Sequence, residues 1–239
     1  MKLFFRKKNR QDTASCSVVV LAAGSSTRMG RDKIMLEVGG LPVIVRTLMT
    51  FESISEVNEV IVVTREALIP EIAGLCKIFD LKKVKKVVCG GASRSESARI
   101  GTMEADREAQ LIAVHDAARP FADAELIRRT ILKAAETGAA APAVPVKDTI
   151  KVAHDGVVEY TPDRTTLFAV QTPQIFDAAL IRAALQKAID DGVEITDDCS
   201  AVERLGMKIS LTAGDERNIK ITTPNDMILA NMMSQEVLE

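Results

Sequence analysis

Ser17-Val18-Val19-Val20-Leu21-Ala22-Ala23-Gly24 is the stretch that decides the fold of this chain. The run is continuously apolar after Ser17, rich in β-branched valine, and ends on a glycine. A half-wet strand alternates apolar and polar residues. An unbroken apolar run is buried on both faces, as in a parallel sheet covered by helices on each side. Outward from this strand, the same kind of run returns at Glu59-Val60-Ile61-Val62-Val63-Thr64, at 84–89, at Leu111-Ile112-Ala113-Val114-His115 and at 139–144. Helical patterns fill the gaps. Pro42 opens one that reaches Phe51, a second covers 70–80, Gly90-Gly91 precedes a third over 94–103, and Asp123 caps a fourth that runs to Thr137. This alternation predicts an α/β, Rossmann-like architecture: a mostly parallel sheet flanked by helices.

The rhythm changes at Pro145. Two short β-type runs, 148–152 and 157–160, flank Asp155-Gly156, a hairpin turn signal. The segment 146–168 has few large apolar residues with which to build a core of its own. It reads as a β-hairpin arm projecting from the main domain and packing on a second copy of the chain, so a homodimer is expected. A strand over 169–176 returns to the domain. Helices over 177–191 and 197–205, a strand over 208–212 and a helix opened by Thr223-Pro224 complete the chain. Residues 1–16 read as a basic mobile tail, with Lys2, Arg6, Lys7, Lys8 and Arg10, and residues 17–239 as a single domain carrying the arm.

Composition narrows the function. The 239 residues carry 31 Lys plus Arg against 33 Asp plus Glu, a net charge of −2, and 47% are hydrophobic. That is a soluble globular composition. Near-zero charge argues against nucleic-acid binding, and no apolar run has the length of a membrane span. His115 and His154 are the only histidines, too few for a His-rich metal site. Cys16, Cys76, Cys89 and Cys199 form no CxxC pair and suit a reducing compartment, so a cytoplasmic location is expected.

In an open parallel sheet the ligand sits beyond the carboxyl ends of the strands. The distinctive residues of this chain gather there. After the first strand, Ala22, Ala23 and Gly24 let backbone amides approach a ligand closely, and Arg28, Arg31 and Lys33 add cations. Together they make an anion cradle. The segment has neither the Gly-Lys-Ser/Thr of a P-loop nor the GxGxxG of a dinucleotide site.

Ala22-Ala23-Gly24 with Arg28-Met29-Gly30 and Lys33 resembles the signature of nucleotidyltransferases that move NMP from an NTP to a phosphate or sugar. Gly90-Gly91-Ala92-Ser93-Arg94 with Ser97, Val114-His115-Asp116-Ala117-Ala118-Arg119-Pro120, Asp163-Arg164 before Gln171-Thr172-Pro173-Gln174, Thr196-Asp197-Asp198, and Asn218-Ile219-Lys220-Ile221-Thr222 follow in order. As a set, over about 17–233, they resemble the 2-C-methyl-D-erythritol 4-phosphate cytidylyltransferase family. Ile34-Met35 departs from the pattern, since many members carry Gln and an aromatic there.

The resemblance implies transfer of CMP from CTP to methylerythritol phosphate in the non-mevalonate isoprenoid pathway, on a Rossmann-like sheet with a dimerising arm. It places transition-state stabilisation on Arg28 and Lys33, and leaves Arg31 solvated. It makes Asp116 the carboxylate associated with Mg²⁺ or another divalent cation. Base contacts fall on Ala22, Ala23, Gly91 and Ser97, beside Gly24. Arg164 and Lys220 position the acceptor phosphate, and Arg119, Thr149, Thr172 and Thr196 fit the same acceptor. Arg164 lies close to the hairpin, where it could reach a partner's site. Two alternatives stand beside this reading: a cytidylyltransferase for another polyol phosphate such as ribitol 5-phosphate, and a non-catalytic nucleotide-binding regulator.

Overall fold

The computed structural model describes residues 15–24 and 32–236. Residues 1–14 of the tail, Arg28 and Arg31 therefore lie outside the described residues, while Cys16, read as the end of the tail, already belongs to the first strand. The founding strand, β1 (Cys16–Ala22), is buried along nearly its whole length and is paired on both sides. On one side it meets β4 (Val57–Thr64), in parallel, and β4 in turn meets the parallel β5 (Val84–Cys89). On the other side it meets β6 (Leu111–Asp116), also in parallel. The sheet continues through β11 (Gln174–Asp177), antiparallel to β6, and then β7 (Ala139–Pro145). Both β10 (Phe168–Val170) and β12 (Ser210–Ala213) pair with β7.

Alternation along β1 feeds two cores. Val18, Val20 and Ala22 face one layer, where Ile44, Leu48 and Phe51 of α1 (Val43–Glu52) and Leu126, Ile127 and Ile131 of α4 (Ala124–Thr137) are buried. Val19 faces the other, with Ala98 of α3 (Arg94–Glu104) and Ile181, Ala184 and Leu185 of α5 (Ala178–Asp190). Valine on both faces is what a doubly covered strand requires. The Asp123 carboxylate accepts the Leu126 N–H at 2.6 Å, the predicted cap of α4, and Gly138 closes that helix at φ +87°. Among the described residues, no helix is long and apolar enough to cross a membrane.

Two details outside the hairpin differ from the sequence reading. The expected strand over 169–176 is divided into β10 and β11. Pro173 has no N–H for a ladder, so the pairing is interrupted there and the chain bulges. Val170 opposes Ala143 and Ile175 opposes Ala140, so the bulge takes up extra residues without leaving the strand's path. The second difference is a ribbon of β2 (Glu37–Val38) and β3 (Leu41–Pro42), turned by Gly39 and Gly40 at φ +55° and +75°. It supports α7 (Pro224–Glu236): the Gly39 N–H donates to Asn231 Oδ1.

The hairpin turns where expected, although its first strand covers 152–154 and not 148–152. β8 (Val152–His154) and β9 (Val157–Tyr160) pair antiparallel around Asp155 and Gly156, both at positive φ, and form a sheet of their own. Val157, Val158 and Tyr160 are all more than half exposed, an apolar surface that nothing among the described residues covers.

Candidate active site

The chain runs from β1 out to β4 and β5, then crosses back to β6 on the other side of β1. That reversal leaves a crevice beyond the carboxyl ends of β1 and β6, where open α/β sheets bind ligands. A cleft of about 390 Å³ lies there. Ala22, Ala23, Gly24, Lys33, Gly91, Ser97, Asp116 and Lys220, all predicted from sequence, line it, together with Arg94.

One wall is the turn after β5. A side-chain carbon on Gly90 would lie 2.8 Å from Ser97 Oγ and 2.9 Å from Ala23 Cβ, so only glycine lets this turn close on the β1 loop. Ser97 Oγ donates to Ser93 O at 2.9 Å and accepts the Gly91 N–H at 3.1 Å, which fixes the turn on α3. The wall is thus built from backbone and small residues held rigidly.

The opposite end is ionic. Asp116 ends β6 with its carboxylate facing three cations. Lys220 Nζ is 2.8 Å from Oδ2, Arg94 Nη2 is 3.5 Å from Oδ1, and Arg119 Nε is 3.9 Å from Oδ2. Burial raises a carboxyl pKa, but here Lys220, Arg94 and Arg119 outweigh it and hold Asp116 down at about 2. At neutral pH the group is an anion. Arg94, between Asp116 and the buried Asp198, is held protonated by both carboxylates against the opposing effect of burial.

His115, one residue earlier, points away from the cleft. Its ring is buried edge-on to Phe51, with Nδ1 3.1 Å from Thr172 Oγ1 and Nε2 3.2 Å from Arg119 O. Burial pushes its pKa down to about 4, so it is neutral and structural. Thr172 Oγ1 also accepts the Asp116 N–H at 3.1 Å. Thr172 therefore lies behind the cleft and fixes Asp116, and is not among the lining residues.

Lys220 is delivered by a loop clamped to the bulge between β10 and β11. Gln171 Nε2 donates to Asp215 O at 2.7 Å, and its Oε1 accepts from Asp215 N and Asn218 Nδ2. Asn218 Nδ2 also reaches Thr172 O, and Arg119 Nη1 donates to Asn218 O at 2.7 Å. Arg119 thus spans Asp116 and the Lys220 loop.

Arg119, Thr149, Arg164 and Thr196 do not line the cleft, and Thr149 and Arg164 are exposed. Arg164 Nη1 donates to Lys147 O within the arm. Arg94, Asp198, Gln171 and Asn218 stand inside the sequence motifs, but the sequence alone assigns them no role. Their functions depend on partners far away in the chain, and the one local signal is their place inside those motifs.

The model of the family described as 2-C-methyl-D-erythritol 4-phosphate cytidylyltransferase matches residues 16–236. This chain belongs to that family. A 2-C-methyl-D-erythritol 4-phosphate cytidylyltransferase of Caldanaerobacter subterraneus is 42% identical over 224 residues, covering 90% of this chain and 97% of the relative. One of Halalkalibacterium halodurans is 41% identical over 222 residues, covering 92% and 97%. Among solved structures, 4-diphosphocytidyl-2C-methyl-D-erythritol synthase of Anaerococcus prevotii superposes with a TM-score of 0.84 at 34% identity, covering 93% of this chain and 97% of that one. Membership of this cytidylyltransferase family agrees with the fold, the cleft and the order of motifs.

Proposed function

We propose that this chain transfers CMP from CTP to 2-C-methyl-D-erythritol 4-phosphate, releasing pyrophosphate and forming CDP-methylerythritol in the non-mevalonate isoprenoid pathway. The observation that carries the proposal is one cleft in which a rigid small-residue wall faces an ionised Asp116 set among cations. Such a cleft suits a nucleoside triphosphate at one end and a phosphate acceptor at the other.

In the reaction an oxygen of the acceptor phosphate forms a bond to the α-phosphorus of CTP. The bond to the bridging oxygen of pyrophosphate breaks, and that oxygen leaves with its electron pair. The nucleophile is already ionised, so no general base is required, and the neutral His115 is not missed. The barrier lies in bringing anions together and in the charge gathered at the transferring phosphorus. Fixed cations answer both demands. Lys33, in the cleft, and Arg28 stabilise that charge. Ala22, Ala23, Gly24, Gly91 and Ser97 hold the nucleotide, and their close-set backbone reads the cytosine edge and excludes a purine. Lys220 and Arg119 draw the acceptor phosphate in, with Thr172 supporting Asp116 from behind. Thr149 and Thr196 serve the acceptor.

Asp116 also fits the carboxylate of a divalent-cation site, with Mg²⁺ the expected ion. It is ionised, it faces the cleft, and among the described residues the cation beside its Oδ1 stands 3.5 Å away, beyond a close hydrogen bond. Among the described residues no group of three or more His, Cys, Asp or Glu side chains could hold a metal. The ion would therefore be shared between Asp116, nucleotide phosphates and water, the usual manner of Mg²⁺. When bound it would neutralise charge on the triphosphate.

The exposed apolar hairpin supports a homodimer, and Arg164, exposed beside it, then acts on the acceptor in the neighbouring subunit. Residues 17–239 act as one domain with the arm at 146–168, and the enzyme works in the cytoplasm.

Pyrophosphate release with CTP, a divalent cation and each candidate acceptor tests the proposal. Release with methylerythritol phosphate is expected. Release with ribitol 5-phosphate alone would replace the acceptor, and no release with any acceptor would make the chain a nucleotide-binding regulator.

A further inference from the structure

Behind the cleft lies a second carboxylate that no substrate can touch. Asp198 is fully buried and does not line the cleft. Its position is set by hydrogen bonds from two directions. Asp197 caps α6 (Asp198–Glu203) by accepting the Ser200 N–H at 2.9 Å. Gln174, in β11, accepts the N–H groups of Asp198 and Cys199 on Oε1, both at 3.0 Å. It also donates from Nε2 to Asp197 at 2.7 Å. The carboxylate so fixed faces Arg94.

Arg94 stands between two carboxylates and is held unequally. Nη2 is 2.8 Å from Asp198 Oδ2, a hydrogen-bonded ion pair, and 3.5 Å from Asp116 Oδ1, a longer and looser one. The two oxygens of Asp116 are therefore not equivalent. Oδ2 is taken by Lys220 at 2.8 Å, whereas the ion pair at Oδ1 among the described residues is the longer contact to Arg94.

We propose that Asp198 is a positioning residue: it draws the Arg94 guanidinium back from Asp116 and so keeps Asp116 Oδ1 open to a divalent cation. The proposal rests on the reading of Asp116 as the metal-associated carboxylate. With the charge of Asp198 removed, Asp116 is the strongest anion within reach of Arg94. The guanidinium then closes on Oδ1, because an Arg–carboxylate pair gains most when it is both charged and hydrogen-bonded. A cation so placed competes with the metal by charge and by volume. Partners standing behind a metal ligand commonly alter metal affinity by about 10–100-fold.

The test is Mn²⁺ binding to the full chain saturated with a non-hydrolysable α,β-methylene CTP analogue, read from the loss of the free-Mn²⁺ electron paramagnetic resonance signal beyond the loss that the same nucleotide causes without protein. Asp198→Asn is expected to weaken Mn²⁺ binding about 10-fold or more. Asp198→Asn combined with Arg94→Gln is expected to bind Mn²⁺ at least as tightly as the unaltered protein, because the competing cation has gone with its restraint. A merely structural role predicts the opposite, that the double variant is as weak as the single one or weaker. If Asp198→Asn does not fold, the double variant still decides: affinity below that of the unaltered protein overturns the proposal. Unchanged binding in Asp198→Asn overturns it too. Asp116→Asn separates the two levels. Lost Mn²⁺ binding there upholds the reading of Asp116 whatever Asp198 does, whereas undiminished binding removes that reading and the proposal with it.

Discussion

Lys220 Nζ lies 2.8 Å from Asp116 Oδ2, joining the end of β6 to a loop that the bulge between β10 and β11 holds in place. Three features meet at this contact: the strand order that opens the crevice, the clamp that delivers the lysine, and the low pKa of the carboxylate.

Asp116 titrates near 2 in the folded chain, below its ordinary value of 3.8, with burial opposing and Lys220 the largest of the lowering influences. Its contribution to stability is present above the unfolded value and is lost as pH falls from about 4 through about 2. In Lys220→Ala the Asp116 carboxyl should titrate higher, followed by its ¹³C carboxyl resonance. Activity in the same variant should fall about 100–1,000-fold, the usual cost of losing one preorganised charge. An unmoved resonance would contradict the pairing.

His115 gives a pH dependence of different origin. Burial lowers its folded pKa to about 4 from an ordinary 6.5, so the unfolded chain binds the extra proton between those values. Stability from this residue is complete above 6.5 and declines as pH falls towards 4, by about 3 kcal/mol at roughly 1.4 kcal/mol per tenfold. His115→Asn, which cannot titrate, should flatten the slope of urea-melt stability between pH 4 and 6.5. An unchanged slope would place the titrating group elsewhere.

Asn218 is buried and its amide serves Gln171 and Thr172, so its value is to place Lys220. Asn218→Ala should cost about 1–3 kcal/mol through the partners left unpaired. It should also raise the KM for the acceptor phosphate more than that for CTP. Equal effects on both substrates would mean that the clamp serves stability alone.

Gly90→Ala should damage nucleotide binding while sparing the acceptor end. The added carbon meets Ser97 Oγ and Ala23 Cβ below 3 Å and forces the two nucleotide loops apart. Calorimetry with a CTP analogue should show weakened binding, and wild-type affinity would show that the wall yields without consequence.

The arm should be the seat of dimerisation. Val158→Asp with Tyr160→Asp places charge on its exposed apolar surface and should give a monomer by sedimentation. Mixing Arg164→Ala chains with Lys33→Ala chains should recover activity if Arg164 works across the interface. No recovery would confine Arg164 to its own subunit.

Much of the fold and of the cleft is legible in the sequence. Continuous apolar runs such as 18–21 announce buried parallel strands, and Asp155-Gly156 announces a turn, because each depends on neighbours along the chain. Ala22, Ala23, Gly24 and Asp116 follow from their place at strand ends, whereas Gly91, Ser97 and Lys220 are reached only through the family resemblance. What is not legible depends on meetings between distant parts of the chain. Nothing local to Arg94 tells that it pairs with Asp198, 104 positions away. Thr172 reads as a hydroxyl for the acceptor because its sequence neighbours do not show that the Asp116 N–H takes it. The β2–β3 ribbon escapes a sequence reading because its strands are two residues long, too short for any periodicity, although Gly39-Gly40 marks the turn.

The central claim is that the acceptor phosphate attacks the α-phosphorus of CTP in this cleft. The most direct measurement is the fate of ¹⁸O placed in the phosphate of methylerythritol 4-phosphate, followed by ³¹P resonance and mass spectrometry in one turnover. The account predicts CDP-methylerythritol that keeps every label, one of them bridging the two phosphorus atoms, and unlabelled pyrophosphate. Label in pyrophosphate or in CMP, or no labelled diphosphate product at all, would contradict it.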